Sequence, residues 1–314
     1  MAASPQRPSD FVRAITRVDA TALVVGSMIG SGIFIVSADI ARQVDSPAIL
    51  LLVWLLAGLV TLMGALTYGE LAAQFPHAGG QYVYLREAIS PLFGYLYGWT
   101  LFMVIQTGTI AAVAVGFARF TSVFVPQLSS SVFLGFSLTL PSGPIDVGLS
   151  AQRLLAIASV FLLTWINVRG VHLAALIQTA LSSIKILSLL ALIVLGIALG
   201  NGHESTNFGG AFWPDHGIDV PLIGAAMVGA LFAMDAWNNV GFAADELKNP
   251  SKDLPLAMLA GVSIVVGLYV AANVAYLYVL PLDSIATAAE DRVATAVLQA
   301  LFGHVGLYVM AAAI

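Results

Sequence analysis

Long apolar runs separated by short polar links make up almost the whole chain. The runs are continuous rather than alternating, which suits helices that cross a membrane and not the strands of a barrel. Eight are predicted, at about Ala20–Ala38, Pro47–Ala73, Pro91–Val123, Leu154–Ile166, Leu173–Leu199, Val220–Ala244, Pro255–Leu280 and Val293–Ile314. The expected fold class is therefore an all-α polytopic membrane protein. Residues 1–19 are polar and read as a cytoplasmic tail, with Phe11–Arg17 against the membrane surface and no cleavage site for a secretory signal. Asp39, Arg42 and Asp45 are expected in the first link, and Phe75–Tyr82 in a turn-rich link. Residues 124–150 read as a loop rich in Ser, Pro and Gly, and residues 200–219 as an acidic loop with Glu204, Asp215 and Asp219. The last run stops at Ile314 with no anchoring charge or polar tail, so the expectation is either a short natural chain or the front part of a longer one.

Two runs have interiors that a membrane helix should not have. In the first, Gly26-Ser27-Met28-Ile29-Gly30-Ser31-Gly32-Ile33-Phe34 puts glycines and serines where each glycine costs about 1 kcal/mol against alanine. Two readings stand. The helix unwinds here to bind a ligand, or Gly26 and Gly30 are a small-residue contact with another helix. In the sixth run, Met234-Asp235-Ala236-Trp237-Asn238-Asn239 interrupts the apolar sequence. The two runs lie five segments apart, and an odd offset makes them cross in opposite directions. That is the pattern of two inverted repeats with discontinuous helices meeting near the midplane. The expected organisation is a tail (1–19), a first five-helix repeat with a broken helix one (20–199), an extracellular loop (200–219) and a partial second repeat with a broken helix six (220–314).

A broken helix exposes its own dipole ends. Amides of Gly30, Ser31 and Gly32, at the start of a second half-helix, suit a carboxylate. Carbonyls where the first halves end, around Met28 and Phe232–Met234, suit an ammonium group. Ile29 and Ala233 complete the two breaks as candidate substrate-binding positions. A ligand with both groups on adjacent carbons satisfies both ends, and that describes an α-amino acid. Asp235 either attracts the ammonium or caps the broken helix by bonding nearby amides. Trp237 and Asn238 are candidate gating residues, with plain packing as the alternative.

Composition narrows the class further. The chain is 59% hydrophobic and 9% charged, with no cysteine, and its mean hydropathy is +0.94. There is no basic patch for nucleic acid, no thiol chemistry, no disulfide-linked partner and no metal-ligand spacing among the five histidines. No metal site or other cofactor is expected. Arg7, Arg13, Arg17, Arg86, Arg169, Lys248 and Lys252 fall on one side of the predicted topology and Arg42, Arg119, Arg153 and Arg292 on the other, which places the N-terminus in the cytoplasm. Glu70 and Glu246 are expected at the cytoplasmic end, paired with Arg86, Lys248 or backbone amides. The remaining cation, Lys185, lies about twelve residues from either end of its predicted helix, too deep to snorkel. A lysine there costs at least roughly 2.5 kcal/mol, so a functional role outweighs chance placement.

Taken together, these stretches resemble the amino acid–polyamine–organocation (APC) superfamily, closest to its L-type amino acid transporter branch and bacterial relatives. The residues that carry the resemblance are Gly26–Phe34, Glu70-Leu71-Ala72 with Phe75–Leu85, Phe232-Ala233-Met234-Asp235-Ala236-Trp237-Asn238-Asn239, and Glu246-Leu247-Lys248-Asn249-Pro250 with Leu254-Pro255. The chain departs from the family pattern at Met234, usually Tyr, and Ala236, usually Gly. The resemblance implies a LeuT-type five-plus-five inverted repeat within twelve helices, of which about eight are present here. It also places Lys185 beside the unwound part of helix one, where its ammonium replaces a sodium ion used by relatives. The function implied is secondary-active amino acid transport that is sodium-independent and works by alternating access, with exchange and proton coupling both open. Its partners are an amino acid substrate, membrane lipid and, in the second case, protons; it is not an enzyme. The competing expectation is a truncated, non-transporting membrane subunit or sensor derived from such a permease.

Overall fold

The computed structural model describes residues 13–140, 143–169, 171–200, 206–209, 212–214, 217 and 219–314. Most of the expected tail, and Glu204 and Asp215 of the acidic loop, lie outside the described residues. The chain opens with α1 (Arg17–Met28) and α2 (Gly32–Gln43), then α3 (Pro47–Gln74), α4 (Gln81–Ala88) and α5 (Pro91–Thr100). A π-helical stretch, Leu101–Gln106, joins α5 to α6 (Thr107–Thr121). Strands β1 (Val132–Leu140) and β2 (Gly143–Ser150) precede α7 (Ala151–Arg169) and α8 (Val171–Leu199). Then come α9 (Val220–Ala233), a 3-10 helix (Trp237–Glu246), α10 (Pro250–Val279), α11 (Leu282–Ala286) and α12 (Val293–Ala313). Among the described residues, seven helical spans are long and apolar enough to cross a membrane, and the broken pair α1–α2 makes up to eight.

Local chemistry sets the helix starts. Thr16 and Asp19 form a reciprocal capping box at α1: the Thr16 amide and hydroxyl both donate to the Asp19 carboxylate, at 2.9 and 2.7 Å. Proline opens α3, α5 and α10, where its missing N–H costs nothing. Several expected boundaries shift. Asp39 and Arg42 belong to α2 rather than to a link, and α4 follows the turn at Gly79-Gly80. Residues 124–150 are not simply a loop. Val132–Leu140 and Gly143–Ser150 pair as an antiparallel hairpin, with Phe136 opposite Val147. The period-two run Phe136-Ser137-Leu138-Thr139-Leu140 is the strand signal there.

The chain divides into two compact units, each gathering separated stretches. The first contains Met1–Met28, Gly58–Leu101 and Met234–Val266; the second contains Ile29–Ala57, Phe102–Ala233 and Gly267–Ile314. In the first unit, α1 packs against the 3-10 helix and α4 against α5. Arg17 pairs with the nearly buried Asp253 at 2.9 Å. The backbones of Ile15 and Glu246–Lys248 bond to each other, at 3.0 and 3.1 Å. Arg86 pairs with its neighbour Glu87 at 2.8 Å. The expected pairing of Glu70 and Glu246 side chains with Arg86 or Lys248 does not form among the described residues, because Arg86 is closer to its own neighbour.

In the second unit, α2 packs against α9, α11 and α12, while α12 also packs against α8 and α6. Its core holds the buried side chains of Phe34, Ile40, Leu50, Trp54, Leu189, Leu192, Tyr269 and Tyr276. Arg42 and Arg119 both grip Asp291, at 2.7 and 3.1 Å. The buried Asn207 amide donates to the carbonyls of Leu277 and Leu280, at 2.8 and 2.7 Å, which fixes part of the stretch before α9.

Candidate functional site

The first break lies where the glycines and serines put it. Met28 ends α1, Ile29–Ser31 are not helical, and α2 begins at Gly32. Ser31 stands at the N-cap position with no side-chain bond to the helix. The first turn of α2 therefore keeps amides that have no helical acceptor, at the positive end of its dipole. At Gly26, one of the two glycines of the packing alternative, an added Cβ meets nothing within 4 Å. Close packing occurs instead at Gly32, where an added Cβ would lie 2.8 Å from the Cβ of Ala233. Ser31 is approached by α6, since a Cβ on Gly116 would come 2.9 Å from its hydroxyl oxygen.

The second break follows Ala233. Met234 and Asp235 leave the helix, and Ala236 adopts a left-handed conformation (φ 74°, ψ 0°) before the 3-10 turn starts at Trp237. A residue with a Cβ pays about 1–2 kcal/mol there, which glycine would not. Met234 is buried, and the Thr61 hydroxyl points at its sulfur at 3.9 Å. Asp235 is exposed, and no side chain caps the 3-10 helix. The capping reading of Asp235 is thus not what this backbone uses: the left-handed turn at Ala236 ends α9 without it. Trp237 lies edge-on to Tyr68 at 5.1 Å, over Gly64 of α3. Asn238 beside it is half-buried.

Within the second unit the two breaks present opposite ends side by side. The amide-bearing start of α2 packs on the carbonyl-bearing end of α9, with Gly32 against Ala233. Phe232, in the last turn of α9, is 48% exposed. The Ala233 carbonyl is already engaged: the Tyr269 hydroxyl donates to it at 3.2 Å. Its second lone pair remains for a further donor. Nearby, Tyr276 donates to the Ile33 carbonyl at 3.2 Å. Ser37 donates to Asn273 at 2.6 Å, and Asn273 donates to the Tyr269 carbonyl at 2.8 Å. This buried polar stripe on α10 escaped the sequence reading. Its signal was there, as polar residues at spacing four and three in an otherwise apolar helix.

Lys185 lies midway along α8, half-buried in the same unit as the start of α2. Its carbonyl accepts a bond from the Ser188 hydroxyl at 2.9 Å. Among the described residues no carboxylate comes within ion-pair distance of its ammonium. No group of three or more His, Asp or Glu side chains there is arranged to hold a metal ion.

Residues 15–314 match the family model described as Amino acid permease. The chain is 31% identical to the serine/threonine exchanger SteT of Bacillus subtilis (strain 168) over 287 residues, which is 91% of this chain and 59% of that protein. It is 31% identical over 299 residues to the large neutral amino acids transporter small subunit 2 of Homo sapiens, covering 94% of this chain and 51% of that one. Similarity to the b(0,+)-type amino acid transporter 1 of Mus musculus is 28% over 258 residues, covering 82% and 50%. The chain spans about half the length of the curated relatives it matches.

Proposed function

Because the chain belongs to the amino acid permease family, we propose that this multi-pass membrane protein binds a free amino acid for secondary-active transport, without sodium. The observation that carries this is the meeting, within one unit, of an amide end and a carbonyl end of two broken helices. The carboxylate rests on the amides of Gly30, Ser31 and Gly32. The ammonium takes the Phe232 carbonyl and the open lone pair of Ala233, with Ile29 lining the same break. Met28, which closes α1, and the exposed Asp235 belong to the other unit, and Asp235 is proposed there as a cation-attracting group in its own right. Trp237 and Asn238 are proposed as gating residues, and Lys185 as the fixed positive charge that takes the place of a metal cation.

The relatives include a protein named as an exchanger, which favours exchange over proton symport as the transport mode. Chemistry is confined to binding and release, with no covalent step. The distribution of lysine and arginine supports a cytoplasmic N-terminus. The test is equilibrium binding of the twenty common L-amino acids to the purified chain in detergent micelles, in sodium chloride and in choline chloride. Saturable binding of a subset, equal in the two salts, is the expected result. Binding of none would remove the reading, and binding only in sodium would remove Lys185 from the role assigned to it.

A further inference from the structure

The hairpin of β1 and β2 has two faces of different chemistry. Residues paired across an antiparallel ladder point to the same face, and every second residue along a strand returns to it. Leu134 pairs with Leu149 and Phe136 with Val147, so Leu134, Phe136 and Leu138 share a face with Val147 and Leu149. All five are apolar, whereas Gly135, Ser137 and Thr139 of β1 lie on the opposite face. Leu134 and Phe136 are each 64% exposed, Leu138 47% and Val147 42%. A lone two-stranded hairpin is marginal in water unless its apolar face packs on something. A contiguous exposed apolar surface of this kind marks an interaction site.

The place of the hairpin says what that something is. Ser150 closes β2 and Ala151 opens α7, with no residue between them. The Arg153 guanidinium donates to the Gly148 carbonyl at 2.6 Å, and the Arg153 amide to the Ser150 hydroxyl at 3.2 Å. The Gln152 amide donates to the Ser129 carbonyl at 3.3 Å, which ties the two ends of the hairpin together at its root. The 19 residues of α7 rise about 28 Å, against a hydrocarbon core about 30 Å thick. Its first turn therefore lies at the edge of that core, and the hairpin starts at the level of the lipid headgroups. α6 packs on α7 through Ala114, Ala118 and Ala156. Phe117 of α6, Phe124 just after it, and Leu154 and Ile157 of α7 stay exposed, so the apolar outer surface of this helix pair runs up to the root of the hairpin.

We propose that the hairpin is a lipid-contacting element: its apolar face lies on the bilayer surface at the boundary of headgroups and acyl chains, with the Ser137 and Thr139 face toward water. The backbone limits the depth. The outer edges of a two-stranded ribbon carry N–H and C=O groups without ladder partners, and the hydrocarbon core has nothing to bond them. At the boundary, water and headgroups reach those edges while the apolar side chains enter the acyl region. A second copy pairing along a strand edge would satisfy the backbone but leave the apolar face bare, so lipid is the occupant that fits the exposed side chains. The hairpin then fixes how deeply the α6–α7 pair sits in the bilayer. This inference does not depend on the amino acid site.

The chain has no cysteine, so a single introduced thiol reports on one position. Leu138→Cys and Val147→Cys, one on each strand of the apolar face, and Ser137→Cys on the polar face each receive a polarity-sensitive fluorophore. The labelled chains are reconstituted into phosphatidylcholine vesicles. Two quenchers are compared: phosphatidylcholine with a spin label near the top of its acyl chain, and iodide present on both sides of the bilayer. The labels at positions 138 and 147 are expected to be quenched about threefold more by the lipid, and about threefold less by iodide, than the label at position 137. The two strands are read separately, so a label that disturbs one leaves the other as the test. Iodide reaching all three labels equally places the apolar face in water and overturns the proposal. Shielding of positions 138 and 147 from both quenchers shows a protein cover, a second copy or further chain, and overturns it too.

Discussion

A methyl group added at Gly32 would lie 2.8 Å from the Cβ of Ala233, with the Ala233 Cα at 3.0 Å. Neither is the far end of a flexible side chain, so α2 and α9 would have to separate. Gly32→Ala is therefore expected to destabilise the protein by about 1–3 kcal/mol, the usual cost of overpacking a close contact. At Gly26, within α1, an added methyl meets nothing, and alanine is the better helix former. Gly26→Ala should raise stability by about 0.5–1 kcal/mol. Thermal unfolding in micelles reads both, and the opposite signs are the point: similar destabilisation at the two positions would contradict the geometry. The sequence marked both glycines as unusual in a membrane helix. It did not distinguish them, because which glycine touches α9 depends on a helix far away in the chain.

At the scale of elements, the stretch between α11 and α12 is held under strain. Glu290 and Asp291 both adopt left-handed backbone conformations (φ 54° and 60°), although neither is glycine. Asp291 offsets that cost by accepting from Arg42 of α2 and Arg119 of α6, one on each carboxylate oxygen. Arg292 extends the cluster, donating to the Arg119 carbonyl at 2.6 Å and the Ser122 hydroxyl at 2.8 Å. Burial lowers the affinity of the Arg292 guanidinium for its proton, yet arginine stays charged at neutral pH. Asp291→Ala removes both ion pairs and keeps the strain. A loss of about 1–2 kcal/mol is expected, shrinking at high salt because the groups are partly exposed. Hydrogen exchange should quicken over residues 285–292 in that variant; unaltered exchange would show that the cluster does not hold the stretch in place. The charges involved were legible as helix-end arginines. Their convergence on one aspartate was not, since it joins three elements from different parts of the chain.

For the whole molecule, the largest electrostatic question is Lys185. A lysine near the middle of a membrane helix costs at least roughly 2.5 kcal/mol, and none of the described carboxylates offsets it. Lys185→Ala should consequently fold with stability equal to or above the wild type, while amino acid binding in sodium-free buffer is lost. Melting temperature and ligand titration on the same preparation separate the two effects. A variant that binds normally would leave Lys185 without a part in the site, and one that unfolds would make it a structural residue.

The sequence alone determined the class of protein and the positions of both breaks. Apolar length and the cost of glycine, serine and aspartate inside an apolar helix are local quantities, readable within a window of a few turns. The amide start near Gly30–Gly32 and the carbonyl end near Phe232–Met234 were visible in the same way. Tertiary structure alone decided that these two ends adjoin, that Tyr269 bonds the Ala233 carbonyl, and that Val132–Leu140 and Gly143–Ser150 pair as a hairpin instead of trailing as a loop. Each of those depends on which distant segments come into contact. Hydrogen bonds between such segments form only once the packing of apolar faces has brought their partners within reach, and no local pattern records that outcome.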